Sequence, residues 1–186
     1  MSDDERQTEQ SFVLRVVEGI GDFSEDEWNH LAGTSRQGGS YNPFISRAFL
    51  NALEQSGSVS QHAGWLPRHL RLEDDKGYLI GAVPNYLKGH SQGEYVFDHG
   101  WADAFERAGG RYYPKFQASI PFTPATGPRL LHHAEFEPDA VQLALANGLR
   151  QLTDQTGASS AHVTFAPKSE IFALEEAGFM HRTDQQ

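Results

Sequence analysis

The sequence predicts one α/β domain of the α+β type, in which a mixed and mostly antiparallel sheet is flanked by helices. Three observations predict it. Strand-like and helix-like segments follow one another along the chain, two strand-like segments are joined by a tight turn, and 186 residues suffice for one packed domain. The 12 Phe, 6 Tyr and 3 Trp supply large side chains for a core. We therefore expect an ordered lobe over residues 11–186 and a disordered tail over residues 1–10.

The first elements follow from local composition. Residues 12–20 are rich in β-branched side chains and predict a strand. The segment Ser24-Glu25-Asp26-Glu27 has the capping-box pattern, which predicts a helix to about residue 32. A second helix is predicted over residues 46–56, where Gly57 ends it. Trp28 is placed to face the core from the first helix.

A β-hairpin is the clearest prediction in the middle of the chain. Residues 69–73 and 78–88 have strand composition, and the polar residues 74–77 between them favour a turn. Pro84 cannot donate to a strand ladder, so it predicts an edge, a bulge or an early end of the second strand.

The second half of the chain predicts helices and strands in alternation. In the predicted helix over residues 137–157, the apolar residues Val141, Leu145, Leu149 and Leu152 recur at helical spacing. The other predicted elements are strands over residues 94–98, 115–121, 161–165 and 179–182, an irregular loop over 122–128, and helices over 101–108 and 168–177.

Composition excludes several classes of function. Acidic residues outnumber basic ones by 25 to 15, giving a formal net charge of −10. This argues against a generic nucleic-acid binder, DNA-binding proteins included, and leaves room for a small local basic site. The absence of cysteine excludes disulfides, thiolate nucleophiles and cysteine-type zinc sites. The N-terminus lacks a signal-peptide pattern, and no apolar run approaches the ~20 residues that span a bilayer. We expect a cytoplasmic protein without membrane insertion.

An aromatic segment rich in Gly and Pro, residues 93–129, is the predicted functional region. Rigid loops with stacking surfaces and hydrogen-bonding groups are typical of clefts that bind small molecules. The alternative is that these aromatic residues belong to the core. The predicted substrate-binding residues are Trp101, Tyr112 and Tyr113 as pocket walls, with Gln117, Thr123 and Arg129 as polar contacts.

Two charged residues of this segment are the candidate catalytic residues. Asp98 could accept a proton or orient an amine, and its alternative role is a turn or cap residue. Lys115 could stabilise an oxyanion or hold a carboxylate or phosphate, and its alternative role is an exposed lysine on a strand. His132 and His133 are adjacent, so on a strand they face opposite sides and do not predict a metal site.

Five segments resemble a known family. They occur in order over residues 42–130 and are similar to the bacterial FemAB-like predicted N-acyltransferases, which relate to peptidoglycan interpeptide-bridge enzymes. The segments are Asn42-Pro43-Phe44-Ile45-Ser46, Pro84-Asn85-Tyr86-Leu87-Lys88, Gly93-Glu94-Tyr95-Val96-Phe97-Asp98, Arg111-Tyr112-Tyr113-Pro114-Lys115 and Pro121-Phe122-Thr123-Pro124.

The resemblance implies the acyl-CoA N-acyltransferase (GNAT) fold and transfer of an acyl or aminoacyl group to the amine of a small molecule or peptide. The implied co-substrate is acyl-CoA or aminoacyl-tRNA, and no bound cofactor is expected. Family members carry a second lobe, so we expect a chain truncated from a two-lobe protein that pairs with that lobe or with a second copy. The alternative is a non-catalytic lobe that recognises a peptide or precursor, or supports its partner.

Two positions depart from the GNAT pattern that the resemblance implies. Coenzyme A-binding members place a Gly-rich loop before the central helix, whereas residues 133–138 of this chain contain two glutamates and no glycine there. Leu174 stands where many members have a tyrosine as general acid. Both departures argue against coenzyme A binding by this lobe alone.

Overall fold

The computed structural model describes residues 11–33, 42–96 and 98–183. Its strands and helices occur in the mixed order that the sequence predicts. The strands are β1 (Val13–Val17), β2 (Trp65–Pro67), β3 (His69–Glu73), β4 (Leu79–Val83), β5 (Asn85–Lys88), β6 (Lys115–Ala118), β7 (Leu131–His132) and β8 (Ala161–Val163). The helices are α1 (Glu25–Leu31), α2 (Arg47–Gln55), α3 (His99–Arg107), α4 (Pro138–Thr156) and α5 (Lys168–Glu176).

The strands form two four-stranded sheets. The first has the order β1-β3-β4-β7 and is antiparallel, and the second has the order β2-β5-β6-β8. In the second sheet only β6 and β8 run parallel. Pro84 alone separates β4 from β5, so the chain passes from one sheet to the other at this residue. The early strand end predicted at Pro84 is confirmed, and the predicted strand over residues 78–88 is two strands.

Helix α4 covers one face of the first sheet. Its predicted apolar stripe, Val141, Leu145, Leu149 and Leu152, is at most 9% exposed and belongs to the main core cluster. Gly81 on β4 lets the helix approach closely, because a Cβ atom there would lie 2.9 Å from Val141 Cγ1.

The other face of the first sheet packs against α1 and α2. The capping box of Ser24 and Glu27 is present and begins α1 as predicted. Trp28 is fully buried in the second core cluster, and its indole N–H donates to Ile45 O at 2.7 Å. The first sheet thus lies between two helical layers.

Two predicted strands are wrong. The expected strand at 94–98 is irregular over residues 94–96, because Gly93 and Tyr95 have φ values of 79° and 57°, which no extended strand allows. Residues 179–182 have no strand, since Gly178 turns the chain at the end of α5 with a φ of 88°. Strands β2 and β7 were not predicted. The tail expected at residues 1–10 lies outside the described residues.

Within the described ranges, none of the helices combines the length and apolar character needed to cross a bilayer.

Candidate functional site

Two lysines lie side by side in the second sheet. Lys88 ends β5, Lys115 begins β6, and the two are direct partners in the antiparallel pairing. Side chains of directly paired residues point to the same face of a sheet. Both lysines have an exposed fraction of 0%. Because buried lysines require counter-charges, charged groups from other parts of the chain are expected next to this pair, which makes it a candidate functional site.

Two carboxylates neutralise Lys115. Its Nζ lies 2.8 Å from Glu94 Oε2 and 2.5 Å from Asp98 Oδ2. Tyr112 donates its hydroxyl to the same Asp98 oxygen at 2.6 Å. We call Lys88, Lys115, Glu94 and Asp98 the lysine–carboxylate cluster.

Aromatic rings surround the cluster. Lys115 Nζ lies 5.2 Å from the ring centre of Tyr112 and 5.7 Å from that of Tyr113. Lys88 Nζ lies 3.5 Å from the ring centre of Trp65, which is within cation–π range. The structure thus brings together Asp98, Lys115, Tyr112 and Tyr113, four of the residues that the sequence singled out.

Burial and neighbouring charges shift the pKa values of the cluster residues in different directions. Burial lowers the pKa of Lys88 to about 7, against the opposing charge of Glu94. Burial also raises the pKa of Glu94, despite its contact with Lys115. Burial acts the same way on Asp98, but hydrogen bonds from Lys115 and Tyr112 outweigh it and hold the Asp98 pKa below its ordinary value. Asp98 is therefore an ionised hydrogen-bond acceptor at neutral pH.

The cluster retains unused hydrogen-bonding capacity. Glu94 Oε1, Asp98 Oδ1 and Trp65 Nε1 are buried and have no hydrogen-bond partner within the described ranges. Native proteins rarely leave such groups unpaired, because each costs about 1–3 kcal/mol. Unpaired donors and acceptors at one cluster indicate a ligand site more readily than a purely structural ion pair.

An irregular loop, residues 89–96, reaches over the cluster, and we call it the covering loop. It brings Glu94 to Lys115, and its Gln92 carbonyl accepts a hydrogen bond from Lys88 Nζ at 3.1 Å. Its Gly93 carbonyl accepts a hydrogen bond from Phe122 N at 3.2 Å. Tyr95 has a left-handed backbone, which is strained for a residue with a side chain.

A cavity of about 310 Å³ is lined mainly by residues of the covering loop: Ser91, Gln92, Gly93 and Tyr95, together with His99 of α3. Helix α3, which follows the loop, has no buried residue. The covering loop thus lines this cavity and also contacts the two buried lysines.

The other predicted substrate-binding residues have contacts of their own. Trp101 is 57% exposed on α3, with the Arg182 guanidinium 5.1 Å from its ring centre. Gln117 is buried and donates to Thr164 Oγ1 at 2.9 Å, while Thr123 donates to Pro121 O at 3.1 Å.

Arg129 is fully buried and binds main chain. Its guanidinium donates four hydrogen bonds to carbonyl oxygens, and its backbone N–H donates to the Glu170 carboxylate at 2.9 Å. The four acceptors belong to Ala125, Gly127, Pro128 and Thr164. This geometry fixes the loop before β7.

Sequence reasoning missed three residues of the site: Lys88, Glu94 and His162. Lys88 and Glu94 stand in the segments that resemble the family, so a search for opposite charges within those segments could have found them. His162, on β8, gave no such signal, because only the pairing of β8 with β6 brings it next to Gln117.

His162 makes the stability of the protein depend on pH. Burial and the nearby Lys115 lower its pKa to about 4. Since the unfolded chain binds the proton first, the free energy of unfolding should fall as the pH drops from 6.5 to 4. We expect this loss to be about 1–3 kcal/mol smaller in His162→Gln than in the wild type. Urea unfolding at several pH values measures it, with the exposed His62→Gln as control. Parallel pH profiles for wild type and His162→Gln would refute the assignment.

A larger cavity, of about 590 Å³, lies before α4. Its lining carries the acidic residues Asp26, Glu27, Asp74 and Glu135, together with His30 and His133. These lining residues matter for coenzyme A binding, because the GNAT pattern places the pyrophosphate of coenzyme A in front of this helix.

The residues at the start of α4 do not fit a pyrophosphate. Glu135 and Glu137 precede the helix, Asp139 lies in its first turn, and Pro138 offers no N–H. Leu174, at the position of the general acid in many GNAT enzymes, is buried in the core. Across the described residues, no group of three or more His, Asp or Glu side chains is arranged to hold a metal ion.

Comparisons with known proteins agree with this fold. The model of the FemAB-like family, described as peptidoglycan biosynthesis/recognition, matches residues 19–186. An acetyltransferase of Trypanosoma brucei is similar in structure, with a TM-score of 0.51 at 15% identity over 95% of this chain and 97% of that one. An aminoglycoside 6'-N-acetyltransferase of Acinetobacter baumannii has a TM-score of 0.50 at 11% identity over 95% of each chain. No curated protein matches the sequence. The predicted GNAT-type fold is confirmed.

Proposed function

Because this chain belongs to the FemAB-like family, we propose that it is an N-acyltransferase lobe that acts on an amine of a peptidoglycan-related acceptor. The observation that carries the proposal is the lysine–carboxylate cluster on β5 and β6 of a GNAT-type fold. The cluster combines buried lysines, carboxylates and polar atoms without partners among the described residues, and such groups can orient an amine and stabilise the oxyanion of acyl transfer.

In the proposed reaction, the neutral amine attacks the acyl carbonyl of the donor. The C–N bond forms, the bond to the donor's leaving group breaks, and the amine proton leaves with the leaving group or solvent. Asp98, whose pKa is lowered, accepts a hydrogen bond from the amine and orients it. Lys115 stabilises the negative charge that develops on the carbonyl oxygen. Both roles require the covering loop to move, since each residue is buried.

The acidic approach to α4 favours aminoacyl-tRNA over acyl-CoA as the donor. A coenzyme A pyrophosphate would meet Glu135 and Glu137 at the helix N-terminus, where like charges repel it. A tRNA donor does not require a pyrophosphate at that position, but in a chain with a net charge of −10 its phosphates must meet a local basic surface.

Specific observations also favour a second candidate, a recognition lobe without catalysis. The candidate catalytic groups are ion-paired and buried, and Leu174 replaces the general acid. Such a lobe would bind the same acceptor while another lobe supplied the chemistry.

The test is amide formation by the full chain. The protein is incubated with an amine-bearing peptidoglycan precursor peptide and either labelled aminoacyl-tRNA or acetyl-CoA, and the product is measured by mass spectrometry. We expect product with aminoacyl-tRNA and a loss of about 100-fold in Asp98→Asn. Asp154→Asn, an exposed change near the C-terminal end of α4, should keep the wild-type rate. Peptide binding without product from either donor would favour the recognition lobe, and neither binding nor product would contradict both proposals.

A further inference from the structure

We propose that Lys88 and Lys115 form a seat for a carboxylate or phosphate group of a ligand, and that Glu94 occupies this seat in the closed structure. The inference names a ligand chemistry for the cluster on which the proposed function rests. Its test measures binding alone, so it can fail or succeed independently of acyl transfer.

The regular part of the fold fixes the two cations. Lys88 and Lys115 are held opposite each other by the register of β5 and β6. Below about pH 7, where Lys88 is protonated, like charges in direct cross-strand positions destabilise a sheet, so this pair then requires an anion between or beside them. Asp98, at the start of α3, supplies one anion to Lys115, and Glu94 of the covering loop supplies the second. The backbone of that loop is irregular and strained at Tyr95. Glu94, a loop carboxylate bound at a rigid cationic site, therefore occupies the position that we expect the anionic group of a ligand to take.

Glu94 fills the seat incompletely. It contacts Lys115 through Oε2, while its Oε1 has no partner among the described residues. Lys88 Nζ, which can donate three hydrogen bonds, donates one to Gln92 O. The ring of Trp65 lies against Lys88. Its indole N–H is buried and has no hydrogen-bond partner among the described residues. The seat therefore offers more donors than Glu94 uses, and these suit an oxyanion.

The covering loop contacts both a cavity and the surroundings of these donors. Gly93 lines the cavity of about 310 Å³. A Cβ atom on Gly93 would lie 2.5 Å from Phe122 Cε1 and 3.4 Å from Trp65 Nε1, so the loop backbone packs directly against these two rings. An outward shift of the loop removes Glu94 from Lys115 and connects the cavity with Trp65 Nε1 and Lys88. A ligand anion that takes the place of Glu94 would hold the loop in that open position.

The test removes the Glu94 carboxylate by mutation and supplies a replacement anion from solution. The melting temperature of Glu94→Ala is measured at pH 6, where Lys88 is protonated, with sodium acetate or sodium phosphate at an ionic strength held constant with sodium chloride. We expect a saturable rise of about 5 °C at an anion concentration one hundred times Kd. Acetate and phosphate arms identify which oxyanion the seat prefers. The wild type, in which Glu94 fills the seat, should respond less.

Matched variants keep the test decisive. Glu176→Ala, which removes an exposed glutamate from the end of α5, should respond like the wild type. The double variant Glu94→Ala/Lys88→Met should lose the response. Glu94→Gln, which keeps the shape of the side chain, is measured in parallel. If the alanine variant folds poorly, the glutamine variant still provides the measurement. Equal responses of wild type and both Glu94 variants would overturn the proposal. A wild-type response to ammonium chloride alone would also overturn it, since the unpaired carboxylate oxygens would then bind a cation.

Discussion

Lys115→Met should lower the free energy of unfolding by about 3–5 kcal/mol, because it leaves two buried carboxylates without their shared cation. Glu94 and Asp98 both contact Lys115 Nζ, and their residues are 4% and 3% exposed. The methionine side chain preserves most of the packing volume, so the loss reports the charge. Equilibrium urea unfolding at pH 7 measures it.

The control is Lys168→Met, which removes an exposed lysine from the first turn of α5 and should change stability by less than about 0.5 kcal/mol. The deficit of Lys115→Met should shrink as the pH falls, because protonation removes the unpaired charges of Glu94 and Asp98. A loss below about 1 kcal/mol, or a deficit that grows on acidification, would mean that Lys115 does not neutralise them.

Arg129→Met should also cost about 3–5 kcal/mol. The substitution leaves buried carbonyl oxygens without donors and removes the cation beside Glu170, whose pKa burial raises to about 7. Thermal and urea unfolding of the variant measure the loss, and the exposed Arg111→Met serves as the control.

The same variant decides between two roles for Arg129, which the sequence assigned to substrate binding. A structural role predicts a large loss of stability, with ligand affinity per folded molecule unchanged. A normal unfolding profile with lost affinity for the acceptor peptide would instead place Arg129 in the binding site.

Local patterns predicted those elements whose stabilisation is local. The capping box of Ser24 and Glu27 and the apolar stripe of α4 depend on residues three or four positions apart, and both are present. The turn of the chain at Pro84 followed from the missing N–H of proline. The strand predicted at 94–98 failed because β-like composition there is overridden by the left-handed backbone at Gly93 and Tyr95.

The candidate site could be predicted only in part. Asp98 and Lys115 stood out by charge in an aromatic segment, yet the sequence left open whether Lys115 was an exposed strand residue. Its burial follows from contacts made at a distance: Glu94 is 21 residues away, and Lys88 reaches it through the β5–β6 register. Strand register and loop closure depend on the whole fold, so no local pattern indicates that these charges meet.

The central claim is that the lysine–carboxylate cluster receives a ligand once the covering loop moves. The most direct measurement is NMR of the lysine Cε groups during titration of wild-type protein with an amine-bearing peptidoglycan precursor peptide that has a free carboxylate. We predict saturable shifts of the Lys88 and Lys115 signals together with the amides of residues 91–95. Saturable binding that leaves both lysine signals unchanged, or no binding by the folded chain, would contradict the claim.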